Sequence, residues 1–267
     1  DFIMIENNVH THTESVSEMS STQLISSMTT KLTGETDIKI ASAKVSGEFS
    51  KQESENKDRI YVWFRDTRAV KMGYISTSEY RRPTNLKKIL TEDFKTYVNK
   101  LKKNKISTQD FVKKYGTHFI NETYLGGKFD WYFTVSQDIK ETVETIITTV
   151  SVKLLFWSSS TTTVNQEVWQ EIQKDFTGSF IVTGGGEKGK KLNAALQTSV
   201  CNGEPLAEKD RGLIGDWQSC FIDPETIRDE EMAIIDFEVI PIWEIVDCLD
   251  SSIAQKLKEY ICNEYLK

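Results

Sequence analysis

Several segments of the chain carry apolar residues in patterns that predict β-strands. Phe2–Ile5 forms a short apolar run, and residues 59–75 are rich in aromatic and β-branched residues, which favour strands. Residues 128–137 alternate apolar and polar positions, the period of a half-buried strand. A further strand is predicted at 180–183, directly before three consecutive glycines.

Other segments repeat apolar residues at helical spacing. Residues 91–103 predict a helix, and Ser107 with Asp110 forms the sequence pattern of a capping box that begins a second, short helix. Near the C-terminus a helical stripe consists of Ile253, Leu257, Tyr260 and Ile261. It predicts a helix over 251–267 that packs on the rest of the protein.

Two segments, 16–58 and 138–177, fit more than one structure. In 138–177 the apolar residues recur every three or four positions, which predicts two amphipathic helices joined by a turn. The same segment is rich in Thr, Val and Ile, which lose rotamer freedom in helices and favour strands. It can therefore be interpreted either as helices or as a strand hairpin.

The first segment shows the same ambiguity more clearly. Between positions 41 and 49 one face of a strand would be apolar and the other polar, the pattern of strands in a transmembrane barrel. The apolar positions are Ala41, Ala43, Val45, Gly47 and Phe49. A strand of about 9–11 residues crosses a bilayer, so both segments are long enough for a hairpin. Ordinary helices packed on a sheet remain the alternative.

Composition limits the classes of protein to consider. The chain has 267 residues and 38% hydrophobic residues, enough for a core, and no proline- or glycine-rich linker divides it. No stretch of about 18 apolar residues predicts a transmembrane helix. The net charge of −7 argues against a nucleic-acid partner.

Charge is unevenly distributed. Residues 81–105, here the basic stretch, contain nine Lys and Arg residues, and residues 204–250, here the acidic stretch, contain fourteen Asp and Glu residues. These stretches are interpreted either as two solvated surfaces or as complementary edges for self-assembly.

All four cysteines lie in the last quarter of the chain, and their spacing matches no zinc motif. An even number in a cluster predicts two disulfides in an oxidising compartment. We expect Cys201–Cys220 and Cys248–Cys262 among the three possible connectivities. Four unpaired thiols are the alternative.

The most specific motif lies at 115–127. It consists of Tyr115, Gly116, Thr117, His118 and Phe119, then six residues, then Gly126 and Gly127. This pattern resembles the signature of the membrane attack complex/perforin (MACPF) family, whose members assemble on membranes and form pores. The resemblance covers most of the chain, including Trp217–Cys220.

The resemblance implies an α+β fold in which a bent, twisted four-stranded antiparallel sheet is flanked by two helical clusters. The clusters correspond to 16–58 and 138–177 and would unfold into membrane-inserting hairpins. Their membrane-facing residues would include Ala41, Ala43, Val45, Phe49, Val143 and Ile147. Gly126 and Gly127 would form one hinge of the sheet, and Gly184, Gly185 and Gly186 the other. We expect these glycines to permit insertion without being needed for folding.

The resemblance further implies one pore-forming domain over 1–250, a secreted protein, a lipid membrane as partner and a homo-oligomeric ring or arc. No cofactor and no enzymatic activity are expected. Flanking membrane-targeting domains in a longer chain are compatible with the sequence. The alternative function is a non-lytic adhesion or signalling protein of the same family.

Four other motifs suggest further chemistry, and the sequence argues against the first three of them. Gly184–Lys190 fits part of a phosphate-binding loop, but Lys191 stands where a Ser or Thr would bind Mg²⁺. His118 has no catalytic partner nearby in sequence, and His10 with His12 forms at best a weak metal motif. Asn121 begins an Asn-Glu-Thr glycosylation sequon.

Overall fold

A computed structural model describes residues 3–29, 45–46, 49, 58–75, 88, 90–139, 141–155 and 166–265. It has five strands: β1 (Ile3–Glu18), β2 (Arg59–Ile75), β3 (His118–Ser136), β4 (Thr177–Thr183) and β5 (Ala233–Pro241). The strand order is β1-β2-β3-β4, and β5 pairs with β3. β4 runs antiparallel to β3, from the pair Lys128–Thr183 to the pair Thr134–Thr177.

The described helices are α1 (Ser21–Thr29), α2 (Glu92–Lys102), α3 (Thr108–Tyr115), α4 (Val143–Leu155), α5 (Gln166–Lys174), α6 (Gly186–Thr198), α7 (Leu213–Ser219), α8 (Ile242–Asp247) and α9 (Ser251–Tyr260). Short 3₁₀ turns occur at Val200–Asn202, Glu208–Asp210 and Asp229–Glu231, and Ile261–Tyr265 is a π-helical turn. This mixture confirms the predicted α+β class.

The chain divides into two compact units. The larger unit comprises residues 7–71 and 124–236, and the smaller unit comprises 1–6, 72–123 and 237–267. These units do not test the predicted division into a domain over 1–250 and a C-terminal helix over 251–267, which stays a prediction.

In the larger unit, alternate residues of the strands bury two faces of the sheet. Phe129, Trp131 and Phe133 of β3 belong to a core that also contains side chains of α4, α5, α6 and α7. On the other face, Tyr61, Trp63 and Tyr132 pack with Leu24 and Met28 of α1. The period-two pattern of residues 128–137 arises because alternate side chains of β3 enter this core, while those between them lie on the opposite face of the sheet.

In the smaller unit, four helices share one apolar core. Its buried residues include Phe94 of α2, Phe111 of α3, Val246 of α8 and Leu257 of α9. Helix α3 begins with the predicted capping box: the Ser107 hydroxyl accepts from the Asp110 amide at 3.0 Å, and the Asp110 carboxylate accepts from the Ser107 amide at 3.1 Å. The predicted helices at 91–103 and 251–267 are both present.

The structure differs from the sequence-based expectation in its strands. The sheet has five strands where four were expected, because β5 adds to β3. β3 begins at His118, ten residues before the predicted strand, and β4 begins at Thr177. The first residues of β3 and β4 are set by pairing with strands that are distant in sequence, and a local sequence pattern does not show this pairing.

The two ambiguous segments are only partly described. Residues 16–18 belong to β1 and 21–29 to α1, while most of 30–57 lies outside the described residues. In 138–177 the structure contains the two predicted helices, α4 and α5.

Candidate functional site at the sheet glycines

The signature begins in the smaller unit, where it ends a helix and begins a strand. Tyr115 is the last residue of α3, and Gly116 follows with a φ of +79°, a left-handed conformation that favours glycine. The Gly116 amide donates to the Val112 carbonyl at 2.8 Å, which closes the helix. The Thr117 carbonyl accepts from the Ile242 amide at 2.9 Å, which ties the segment to the start of α8.

Tyr115 holds this segment through aromatic contacts. Its ring centroid lies 4.9 Å from that of Phe94, 5.2 Å from that of Phe111 and 5.5 Å from that of Tyr97. Its hydroxyl donates to Asp93 at 2.7 Å. Burial raises the pKa of the Tyr115 hydroxyl, and the bond to Asp93 raises that pKa further.

His118 makes structural contacts. Its Nδ1 lies 2.8 Å from the Thr117 hydroxyl, and its ring centroid lies 6.4 Å from that of Trp243. These contacts fix the first residue of β3 and supply no acid–base partner for catalysis.

Gly126 and Gly127 lie in the larger unit, where neighbouring atoms occupy the space of their missing side chains. A Cβ at Gly126 would overlap the backbone carbonyl of Arg68 on β2. A Cβ at Gly127 would overlap the ring of Phe221. Neither glycine has a positive φ. Close packing therefore selects glycine at these positions in the folded state.

This packing corrects the expectation that the two glycines are dispensable for folding. At Gly126 the obstacle is backbone, which cannot rotate away, so a larger residue would force β2 and β3 apart. The glycines are part of the folded structure as well as candidates for a hinge.

The second glycine group follows β4 and adopts a left-handed turn. Gly184, Gly185 and Gly186 have φ angles of +75°, +81° and +51°, which other residues rarely adopt. The Gly185 amide donates to the Glu231 carbonyl at 2.7 Å. A phosphate-binding loop would direct such an amide toward its ligand, whereas here a protein carbonyl already accepts from it.

Residues 217–221, here the hinge cap, contact both glycine groups. The Trp217 indole donates to the Gly184 carbonyl at 3.3 Å, and the Phe221 ring lies against Gly127. The two rings pack edge to face with centroids 5.2 Å apart. The hinge cap thus joins the end of β4 to the middle of β3.

A polar contact also joins the hinge cap to β2. The Gln218 amide donates to Asp66 Oδ2 at 3.4 Å, and Arg68 pairs with the same oxygen at 2.9 Å. Asp66 is fully buried. The resemblance in sequence includes Trp217–Cys220, whereas no sequence pattern points to Phe221 or Asp66, because their partners are distant in sequence.

Four of the six proposed membrane-facing residues lie in the described part of the chain, and they are buried or partly buried there. Val45 and Phe49 are fully buried in the cluster around α1, and Val143 and Ile147 pack against the main core. Ala41 and Ala43 lie outside the described residues. Their membrane contact stays a prediction.

The four cysteines are thiols in this structure. Cys220 is buried in the core of the larger unit, and burial raises the pKa of its thiol. Cys201 packs against the same core, and Cys248 packs against the core of the smaller unit. Each predicted pair lies within one unit, and both disulfides stay predictions.

Two other classes of site are absent from the described residues. No group of His, Cys, Asp and Glu side chains there could hold a metal ion. No helix among those residues is long and apolar enough to span a bilayer.

A sheet whose helical connections flank the signature and its glycines is typical of a pore-forming class of proteins. The chain belongs to the MAC/Perforin domain family, whose model matches residues 4–265. No protein with a curated description matches the chain significantly.

Solved structures are similar to this chain at low sequence identity. GNIP1Aa from Chromobacterium piscinae is 14% identical with a TM-score of 0.64, over 97% of this chain and 46% of that one. A MAC/Perforin-domain protein from Bacteroides thetaiotaomicron VPI-5482, titled a cell invasion protein, is 14% identical with a TM-score of 0.48, over 97% and 52%. A non-hemolytic pneumolysin from Streptococcus pneumoniae strain ST306 is 12% identical with a TM-score of 0.37, over 67% and 32%. The chain spans about half the length of the first two proteins.

Proposed function

We propose that this protein is secreted, oligomerises on a target membrane and inserts two β-hairpins per subunit to build a barrel pore. Membership of a pore-forming family supports the class of activity. The steps of oligomerisation and insertion are supported by the connectivity of the sheet.

The proposal depends on one observation: each of two long connections joins a pair of strands that are neighbours in the sheet. The first connection, 19–58, joins β1 to β2, and the second connection, 137–176, joins β3 to β4. Each pair of strands is adjacent in the sheet. If either connection became extended, it would lengthen two neighbouring strands into one hairpin without any change of strand order.

The lengths of the connections suit this conversion. Each contains 40 residues, and a transmembrane hairpin needs two strands of about 9–11 residues and a turn. The remaining residues would span the distance between the sheet and the bilayer.

Assembly follows from the chemistry of a bilayer. A hairpin inserted alone would leave backbone groups without partners in hydrocarbon, so only a closed barrel can insert. β1 and β4 are at opposite ends of the four-strand path. Pairing β1 of one copy with β4 of the next is a head-to-tail contact that can close into a ring.

A proline substitution tests insertion directly. Gln166 is the first residue of α5 and is exposed, a position where helices accept proline. If the second connection becomes a hairpin, the same residue lies inside a strand, where proline removes a hydrogen bond between neighbouring strands. Gln166→Pro should therefore leave the soluble fold intact and impair pore formation.

Gln166→Ala is the matched control, because both variants lose the hydrogen bond from Lys153 to Gln166. Dye release from vesicles and images of ring assemblies would measure the outcome. Wild type that binds vesicles without release or rings would favour the non-lytic adhesion or signalling alternative. Full release by Gln166→Pro would contradict the hairpin mechanism.

A further inference from the structure

Arg59 is a buried cation at the point where the first connection enters β2. It is the first residue of that strand and is 4% exposed. On the neighbouring strand β3, the Thr134 hydroxyl accepts from Arg59 Nε at 3.0 Å and the Thr134 carbonyl accepts from Nη2 at 3.4 Å. Arg59 Nη2 also donates to the backbone carbonyl of Asp175. The guanidinium group therefore reaches from β2 over β3 to a residue of the second connection.

The bond to Asp175 closes the last helix of the second connection. α5 ends at Lys174, so the Asp175 carbonyl is one of the terminal carbonyls that have no partner inside the helix. The C-terminus of a helix carries a partial negative charge, and a cation placed there stabilises the helix. Arg59 of β2 thus stabilises α5 in the helical form, which must be lost if the second connection becomes a hairpin.

The strength of this contact depends on whether water reaches Arg59. Its three acceptors are uncharged oxygens, so hydrogen bonds alone compensate for the burial of the cation. Such bonds are stronger in a dry interior than in water, where solvent competes for the donor and the acceptor. Entry of water beside Arg59 would therefore weaken its hold on the end of α5.

The described cover of this part of β2 comes from the first connection. Tyr61 lies two residues after Arg59 and therefore on the same face of the strand. The Phe49 ring packs edge to face on the Tyr61 ring with centroids 5.6 Å apart, and Val45 belongs to the same cluster. Phe49 and Val45 both lie in 19–58, the segment proposed to become a hairpin. Departure of that segment would admit water to this face of β2.

We infer that Arg59 couples the two connections. It holds α5 as a helix while the first connection covers this face of β2, and it releases α5 when that cover leaves. The inference rests on the proposed function and adds the residue that sets the order in which the two hairpins form. Arg59 is a positioning residue in this role, because it acts on insertion through the end of α5.

A crosslink that holds the first connection in place tests the coupling. Glu18→Cys and Ser27→Cys replace two side chains that are hydrogen-bonded to each other. They are joined by a short reducible crosslinker in a chain whose native cysteines are replaced by serine. The protein is mixed with vesicles of phosphatidylcholine, phosphatidylserine and cholesterol. Pulsed hydrogen–deuterium exchange with mass spectrometry measures how fast peptides of α5 lose protection, before and after reduction of the crosslink.

With Arg59 present, reduction should speed the loss of α5 protection at least about tenfold, the factor expected when hydrogen bonds to a buried charge are weakened. Arg59→Met retains an unbranched side chain and removes the charge. In that variant α5 should lose protection at the same rate whether or not the crosslink is intact. Thr134→Val removes the acceptor of Nε with little change in volume and should reduce the effect of the crosslink; it replaces Arg59→Met if that variant does not fold.

Gln170→Gly is the matched control. Gln170 is exposed in the middle of α5, where glycine weakens a helix without changing Arg59 or its acceptors. Both rates should rise in this variant, while the ratio between the reduced and the crosslinked protein should stay as in the chain with Arg59. A role of Arg59 in helix stability alone would give the same ratio in Arg59→Met and in Gln170→Gly.

An Arg59→Met protein whose α5 still depends on reduction of the crosslink would overturn the inference. Loss of that dependence in Gln170→Gly would overturn it as well. Dye release from the same vesicles by the reduced protein tests the proposed function separately, so release together with either result would remove the coupling and leave the pore. Absence of dye release by the unmodified chain would contradict the proposed function, and this inference with it.

Discussion

The ring of Phe221 occupies the position that a Cβ atom would take at Gly127. This contact joins the hinge cap to β3, and Trp217 extends it to the glycine turn after β4 through the Gly184 carbonyl. The folded state thus holds both glycine groups through one short segment. Movement of the strands relative to this segment at those glycines would break these contacts.

Gly127→Ala should destabilise the fold by about 1–3 kcal/mol, because the new methyl group overlaps the Phe221 ring. In a Phe221→Ala background this cost should fall, and the coupling between the two sites should be at least about 1 kcal/mol. Gly126→Ala is the matched control, because its obstacle is the Arg68 carbonyl, and Phe221→Ala should not relieve it. Denaturant unfolding of the single and double variants measures the coupling; strictly additive costs at Gly127 would contradict the contact.

A tether across the first connection should block pore formation. The Ser27 hydroxyl donates to the Glu18 carboxylate, which places α1 beside the end of β1. In an extended strand these residues would be roughly 30 Å apart, at about 3.3 Å per residue. Glu18→Cys with Ser27→Cys, joined by a short reducible crosslinker in a chain without native cysteines, should therefore abolish dye release.

Reduction of the crosslink should restore release, and each single-cysteine variant should be active throughout. Undiminished leakage from protein verified as fully crosslinked would mean that residues 19–58 do not extend.

Asp250 should stabilise the smaller unit in a pH-dependent way. Its side chain caps α9 by accepting from the Ser252 and Ile253 amides, and Lys102 Nζ lies 2.7 Å from its Oδ2. The bond from Lys102 and then that from Ser252 lower the pKa of Asp250 well below its usual value. Since folding lowers this pKa, the stabilisation is complete above the unfolded pKa of about 3.9 and is lost as the pH falls below it.

Asp250→Ala should thus cost roughly 0.5–2 kcal/mol near neutral pH, the usual cost of losing a helix cap. Asp250→Asn is the control that keeps the capping geometry and removes the charge. Its stability deficit relative to wild type should begin to shrink below about pH 4, because the unfolded wild-type chain then binds a proton at Asp250 that the folded protein does not yet bind. Unfolding curves between about pH 7 and pH 3 measure this, and a deficit constant over that range would exclude the charge effect.

Charge reversal in the basic stretch should slow assembly. Lys103 and Lys105 are exposed, whereas Lys102 already pairs with Asp250 inside the same unit. Lys103→Glu with Lys105→Glu should slow ring formation, because exposed charges mainly set the encounter rate and are screened beyond about 8 Å in physiological salt. Light scattering on vesicles measures the rate.

Lys102→Glu separates assembly from folding, because it should reduce the stability of the smaller unit instead. Reversal of Asp229 and Glu230 to Lys should partly rescue the Lys103/Lys105 variant if the acidic stretch is its partner. A rate unaffected by salt and by reversal would leave both stretches as ordinary solvated surfaces.

Local chemistry made part of this fold predictable from sequence. The capping box at Ser107 and Asp110 involves residues three apart, and the alternation of Phe129 to Val135 reflects a strand that directs every second side chain into the main core. The signature pointed to the family, which the family model confirms. Its residues are close together in sequence because they end one helix and begin one strand.

The rest depends on contacts between distant residues. β5 was missed although Ile235, Phe237 and Val239 alternate with Asp236 and Glu238, a pattern typical of a strand. Its pairing with β3 is not a local property of the sequence. Phe221 was missed because its partner, Gly127, is 94 positions away, and no spacing rule connects them. The motif singled out the glycine positions, whose hinge role stays a prediction, and only the neighbouring atoms show why the folded state favours glycine there.

The equal lengths of the first and second connections have a geometric consequence. Two hairpins of 40 residues each, rising from neighbouring strand pairs of one sheet, would reach the same depth. Each copy would then contribute four barrel strands of equal length. The far rim of the assembled barrel would be level around its circumference, with no difference in strand length at the boundary between subunits.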